Sequence, residues 1–195
     1  MELDLPPVVF DIGGVLTAAE GGVAPLSALL DIPRDRFAEP YWRHRSEYDR
    51  GMPATEYWRK VATDLGATWP DEEITRIDEF DARRWSELAP GRLELIATLQ
   101  TAGVRTALLS NAPASMARVA RESRWSAGFD HRFFSSDLGM IKPEPEIYAE
   151  VEKALGTDLV FFDDRPPNVA AARDRGWQAH IWTDVPAART ILGLD

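Results

Sequence analysis

LVFFDDRPPNVAAARDRGWQAHIW, residues 159–182, decides the fold of this 195-residue chain. Four apolar residues run into a pair of acids, Asp163 and Asp164. A short apolar run of this kind reads as a buried parallel strand. Pro166 and Pro167 then suit the first turn of a helix, where a missing N–H costs little. Gly176 ends that helix, and WQAHIW reads as the next strand. Strand, helix and strand in succession make a βαβ unit, and hence a parallel sheet.

The alternation continues backwards to Pro90. Residues 91–102 (GRLELIATLQTA) have helical periodicity with Gly103 behind them, and VRTALLSN (104–111) is another buried strand. A helix is expected around 113–125, a strand around 131–135, and a helix after Pro145. VVFDIGGVLT (8–17) adds a strand at 8–10 to the same sheet. The expected class is α/β: a Rossmann-like parallel sheet with helices on both faces. Residues 18–88 differ. PLSALLDI, YWRHRSEYDRG, ATEYWRKVATDLG and DEEITRIDEFDARRW read as amphipathic helices, with no convincing strand among them. The expected organisation is a core of residues 1–17 and 89–195, with a helical cap of residues 18–88 inserted. Hinges are expected near 17–25 and 86–91. In open α/β sheets ligands bind outside the carboxyl ends of the strands. An insertion that leaves from such an end covers the site like a lid.

Composition narrows the function. The formal net charge of −10 argues against a nucleic-acid surface, which needs clustered Lys and Arg. The apolar stretches are strand-sized, too short to span a bilayer, and the first residues lack the features of a signal peptide. There is no cysteine, so disulfides and thiolate chemistry are excluded. A cytoplasmic protein, monomeric or homodimeric, is the simplest expectation. Arginine is far commoner than lysine, which occurs only at Lys60, Lys142 and Lys153. A lysine in a loop therefore attracts notice.

Four strand ends carry functional groups: Asp11, Ser110–Asn111, the Lys142–Pro143 loop, and Asp163–Asp164. Singly, each is ordinary turn chemistry. Together they suit phosphoryl transfer. A carboxylate can attack phosphorus only when the meeting negative charges are neutralised, which calls for Mg²⁺ on hard oxygen ligands. The phosphoryl oxygens need donors, and a hydroxyl, backbone N–H groups and an ammonium provide them. The order of the groups also excludes a two-component receiver domain, where the acidic pair precedes the phospho-accepting aspartate.

On FDIGGVL, LLSN, SSDLGMIKPEPEIY and FFDDRPPNVAAARDRGW, the chain resembles the haloacid dehalogenase superfamily with a helical cap after its first motif. Its longer motifs resemble the branch that contains sugar-phosphate phosphatases and the N-terminal phosphatase domain of soluble epoxide hydrolase. The resemblance covers residues 7–16 and roughly 90–185. It implies a hydrolase acting on a small phosphorylated metabolite with Mg²⁺. Asp11 would be the nucleophile that forms an aspartyl-phosphate, and Ser110 and the Asn111 backbone would bind the phosphoryl group. Lys142 would touch both that group and the nucleophile. Asp11, the Gly13 carbonyl and Asp164 would hold the metal, with Asp163 and Asn168 in support.

Gly13 departs from the pattern. The family's phosphatases usually place an aspartate there, whose side chain protonates the leaving oxygen and later activates water. Glycine keeps the carbonyl and lacks the proton donor, a loss worth roughly 10²–10⁴ in rate for a poor leaving group. Three readings follow: a phosphatase of substrates with good leaving groups, a catalytically weak or silent binding module, or a 2-haloacid dehalogenase. Glu20 and Asp49 are the cap acids that could stand in. Tyr41, Arg45 and Tyr48 share one helical face by spacing, with Trp42 and Asp49 beside it. These residues either pack the cap or reach the substrate, with Arg45, Tyr48 and Trp42 as the candidate contacts. His44, His131 and His180 are too scattered for a metal cluster.

Overall fold

The computed structural model describes residues 4–17, 22–85 and 87–194. The chain begins with β1 (Val8–Phe10) and then runs through five helices: α1 (Ala24–Leu29), α2 (Arg34–Arg43), α3 (Arg45–Asp49), α4 (Ala54–Asp64) and α5 (Asp71–Arg84). The alternating part follows as α6 (Arg92–Thr101), β2 (Thr106–Ser110), α7 (Ala114–Glu122), β3 (His131–Phe134) and α8 (Ser135–Leu138). It ends with α9 (Pro145–Leu155), β4 (Val160–Asp163), α10 (Pro166–Asp174), β5 (Gln178–Ile181) and α11 (Val185–Ile191).

The five strands form one sheet in the order β3-β2-β1-β4-β5, and every adjacent pair is parallel. The first strand in sequence is therefore central. Val8, Val9 and Phe10 are wholly buried because the sheet is covered on both faces. Val8, Phe10, Leu108 and Phe162 face α6, α7 and α11, where Leu95, Leu99, Met116 and Leu192 pack on them. Val9, Ala107, Leu109 and Phe161 face α9 and α10, against Tyr148, Val151 and Val169. The ring of Phe10 stacks on that of Phe162 with centroids 5.6 Å apart, fixing the register of the two central strands. That register pairs Phe10 with both Leu108 and Phe162. Asp11, Ser110 and Asp163 accordingly emerge along one carboxyl edge.

Residues 22–85 hold a separate apolar cluster of Phe37, Tyr41, Tyr48, Tyr57, Trp58, Val61 and Ile77, all essentially buried. Five of these are aromatic rings joined by a chain of ring contacts; Tyr48 stacks on Tyr57 at 4.1 Å and 7°. The chain leaves the sheet at Thr17 and returns at Leu88, and these two residues form an antiparallel bridge. The adjoining N–H of Ala89 donates to the carbonyl of Leu16 at 2.9 Å. Part of the first expected hinge, Glu20 included, lies outside the described residues.

One local expectation needs correction, and the structure adds two details. The segment 41–49 is two helices, because the backbone at His44 (φ −104°, ψ 3°) departs from helical geometry. The expected strand at 131–135 stops at Phe134, and Ser135 opens α8 instead. A final helix, α11, follows the last strand. It is capped by Asp184, whose side chain accepts from the N–H of Ala187 at 2.8 Å, and its second residue is a proline.

Candidate active site

Strand ends bring the chemistry together. Asp11 directly follows the central strand, with its N–H bonded to the Phe162 carbonyl at 2.9 Å. Its carboxylate Oδ1 accepts from the N–H of Ile12 at 2.7 Å, which helps to fix the side chain. Lys142, only 2% exposed, enters from the loop between α8 and α9. Its Nζ lies 3.0 Å from Asp11 Oδ1 and 2.6 Å from Asp163 Oδ2, and it donates to the Leu109 carbonyl at 2.8 Å. The lysine is held at its own backbone by Asn111. The Asn111 Oδ1 accepts from the Lys142 N–H at 2.8 Å, and its Nδ2 donates to the Lys142 carbonyl at 2.9 Å. Asn111 thus clamps the loop through its side chain, a role distinct from anything its backbone N–H does.

Asp163 is wholly buried and its oxygens are fully engaged. Besides Lys142, it accepts from the Arg165 N–H at 2.8 Å and from Asn168 Nδ2 at 3.0 Å on each oxygen. The Asn168 carbonyl in turn accepts from Tyr148 Oη at 3.0 Å. Asp163 therefore orients the ammonium. Asp164, the exposed member of the pair, is free to face the cavity.

The electrostatics follow from burial. Desolvation pushes the Asp11 carboxyl up; Lys142 opposes that rise, and Asp163 and Asp164 add to it. Burial works against the charge of Lys142, but Asp11 and Asp163 carry its pKa above the usual value. Asp164 is raised by burial and then by Asp163. Carboxylate oxygens of Asp11, Asp163 and Asp164 lie within 4.8 Å of one another. Three carboxylates facing one ammonium leave two negative charges when all are ionised, and a divalent cation matches that excess. The donor set fits: hard oxygens from Asp11 and Asp164, beside a Gly13 carbonyl with no side chain to shield it. Gly14 adds to the fit. Its φ is +75°, and a Cβ there would lie 2.5 Å from Asp164 Oδ2, so only glycine lets this carboxylate approach.

A cavity of about 340 Å³ opens over these groups. Asp11, Gly13, Ser110, Asn111, Lys142, Asp164 and Asn168 line its floor, and Trp42, Arg45 and Asp49 line it from the helical segment. All of the expected site residues meet here except Asp163, which supports from behind, and Tyr48. Tyr48 is 1% exposed and bonds to Asp78 and, at 3.2 Å, to Ser115. It packs against α7 and does not reach the cavity.

Trp85, Arg165 and Met116 also line the cavity, and the sequence did not single them out. Trp85 is the most informative. A Cβ at position 13 would lie 3.8 Å from its ring, so the indole borders the space an acidic side chain would enter. Its Nε1 donates to Tyr41 Oη at 3.2 Å. That hydroxyl donates to Asp81 Oδ2 at 2.9 Å and accepts from Arg45. Arg45 also donates to Asp49 Oδ1 through Nε at 2.7 Å. A buried polar network thus sits above Gly13.

The site is thus a buried acid at the carboxyl end of the central strand, salt-bridged to a lysine and clustered with two further carboxylates. The chain belongs to the haloacid dehalogenase-like hydrolase family, whose model matches residues 8–176. It is 28% identical over 206 residues to Bifunctional epoxide hydrolase 2 of Rattus norvegicus, a match covering 92% of this chain and 36% of that protein. The chain therefore spans about a third of that relative's length. It is 28% identical over 192 residues to Sesquiterpene phosphatase astK of Aspergillus oryzae, covering 90% of this chain and 89% of the other. Among solved structures, it shares its fold with a HAD family enzyme of Bacteroides thetaiotaomicron in complex with magnesium and inorganic phosphate. The TM-score is 0.71 at 18% identity, over 92% of this chain and 94% of that one. Among the described residues no helix is long and apolar enough to cross a membrane.

Proposed function

We propose that this hydrolase is a Mg²⁺-dependent phosphatase of small phosphorylated metabolites, working through an aspartyl-phosphate on Asp11. The observation that carries the reading is the buried Lys142 ammonium between Asp11 and Asp163, with Asp164 and Ser110 at the same cavity. The full-length similarity to a named phosphatase supports it. Asp11, the Gly13 carbonyl and Asp164 hold Mg²⁺, which when bound offsets the charge between carboxylate and phosphoryl oxygens. Asp11 attacks phosphorus in line. Ser110, the N–H groups after it and Lys142 donate to the phosphoryl oxygens, while Asp163 and Asn168 keep the ammonium in place. Residues 18–88 act as a cap that excludes water, and Trp42 and Arg45 contact the leaving group.

The test is phosphate release from p-nitrophenyl phosphate, acetyl phosphate and sugar phosphates, with Mg²⁺ and with EDTA. Wild type should turn over at least one of them only with Mg²⁺. Asp11→Asn should lose essentially all activity while binding phosphate. Full activity in that variant would refute the mechanism, and a blank across the panel would favour a silent binding module.

A further inference from the structure

Gly13 leaves the proton for the leaving group without an evident donor, and the cavity wall offers few replacements. Among the described residues, its lining contains three carboxylates: Asp11, Asp49 and Asp164. On the reading above, Asp11 is consumed as nucleophile and Asp164 serves the metal. Asp49 remains, and it comes from the cap.

Several contacts place it there. Asp49 ends α3, and its backbone carbonyl accepts from Ser135 Oγ. The same hydroxyl accepts from the N–H of Ala112 at 2.8 Å, two residues after Ser110. One buried serine therefore ties the Asp49 backbone to the phosphate-binding end of β2. Next to it, Arg50 pairs with Glu144 and donates to the Gly139 carbonyl at 3.3 Å, and the Gly51 backbone runs close against Ser136. Asp49 is buried, and its carboxylate faces Arg45 from its own helix, Asp81 from α5 and Arg165 from the core.

We propose that Asp49 is the general acid and base of this hydrolase, replacing the side chain that Gly13 lacks. The inference rests on the phosphatase reading. In the first half-reaction, an oxygen of Asp11 bonds to phosphorus and the bond from phosphorus to the leaving oxygen breaks. The leaving oxygen takes the Asp49 proton and departs as an alcohol. In the second, the Asp49 carboxylate removes a proton from water as the water oxygen bonds to phosphorus. The bond from phosphorus to Asp11 breaks, giving phosphate, free Asp11 and reprotonated Asp49. The environment suits a group that must cycle. Burial raises the Asp49 carboxyl above its ordinary range, and Arg45 and Arg165 oppose that rise, so neither form is locked. Arg45 is a positioning residue here. It stays charged between Asp49 and Asp81 and accommodates the carboxylate when it forms.

The experiment compares wild type, Asp49→Asn and the double variant Gly13→Asp/Asp49→Asn on p-nitrophenyl phosphate and glycerol phosphate, with thermal unfolding as the check on folding. In D49N, kcat/KM should fall by about 10²-fold or more on glycerol phosphate and by only a few-fold on p-nitrophenyl phosphate, whose leaving group needs no proton. D49N should also show a burst of nitrophenol stoichiometric with enzyme, because dephosphorylation has lost its base. The double variant, with an acid beside Trp85, should recover the glycerol phosphate activity. An equal loss on both substrates means that Asp49 is only structural and overturns the inference, as does no loss. A wild type inactive on every phosphate overturns the phosphatase reading itself, and this inference with it.

Discussion

Lys142→Met tests the charge balance of the site through stability, a readout that needs no substrate. The methionine keeps most of the lysine stem's volume, so the cavity contribution is small. What disappears is an ammonium serving Asp11, Asp163 and the Leu109 carbonyl at 3.0, 2.6 and 2.8 Å. Removing one partner of a buried ion pair costs about 3–5 kcal/mol, because the remaining charge stays buried and unpaired. Two features move the expectation to the lower end. Asp163 keeps its bonds from Arg165 and Asn168, and Asp11 borders the cavity, where it can take up a proton. The loss should be about 3 kcal/mol at neutral pH. Its pH dependence is the sharper signature. Asp11 is already raised in the folded protein by burial, and losing Lys142 raises it further. A folded state that holds a proton the unfolded chain has released loses stability as pH rises, by about 1.4 kcal/mol per pH unit for each such proton. Wild-type Asp11, raised to about 7, holds the same proton below neutrality, so the deficit should grow from about pH 7 to about pH 9. Urea unfolding followed by tryptophan fluorescence in EDTA measures it. A deficit below about 1 kcal/mol and flat across that range would refute the claim that Lys142 compensates buried carboxylates.

Gly14→Ala should cost about 1–3 kcal/mol, because it forces a Cβ into a left-handed backbone and against Asp164. Calorimetric titration of Mg²⁺ into that variant should show weakened binding, since Asp164 must move. In wild type, Mg²⁺ affinity should rise with pH above the ordinary carboxylate range. Burial raises both Asp11 and Asp164, so protons compete with the ion until they leave. Titration in buffers of different ionisation enthalpy should register proton release on binding, and its absence at pH 5 would count against these ligands.

The sheet was legible because its strands are short, apolar and punctuated, and because parallel order leaves few topologies. Once Asp11, Ser110 and Asp163 are placed at strand ends, the register of β1 with β2 and β4 gathers them on one edge. Lys142 stood out as a loop lysine in an arginine-rich chain. The rest depended on contacts with no local signature. Trp85 ends a helix that reads as plainly amphipathic, yet it folds back to Gly13 across 72 residues of sequence. The spacing of Tyr41, Arg45 and Tyr48 suggested one shared helical face. Instead the helix breaks at His44, Arg45 reaches the cavity, and Tyr48 packs on Tyr57. The last helix did carry a signal, Asp184 followed by Val-Pro, but its seven residues bury only Ala188 and give little periodicity to read.

Gly13 is best understood through the charges it avoids. An aspartate there would add a carboxylate beside Asp11 and Asp164, which burial already disfavours as anions. Glycine with an indole at its side adds none and keeps the backbone open to a cation. The acid at Asp49 sits in a better-compensated place, between Arg45 and Arg165. If Asp49 is the proton donor, as proposed, its place on α3 also makes the donor conditional on docking of that helix. Asp49 is held at the site through Ser135, so it is positioned only while α3 is docked on the core. A donor on the first loop would remain beside Asp11 whether or not the cap were shut. On this arrangement the enzyme can release a poor leaving group only when closed, when bulk water is also excluded from the nucleophile.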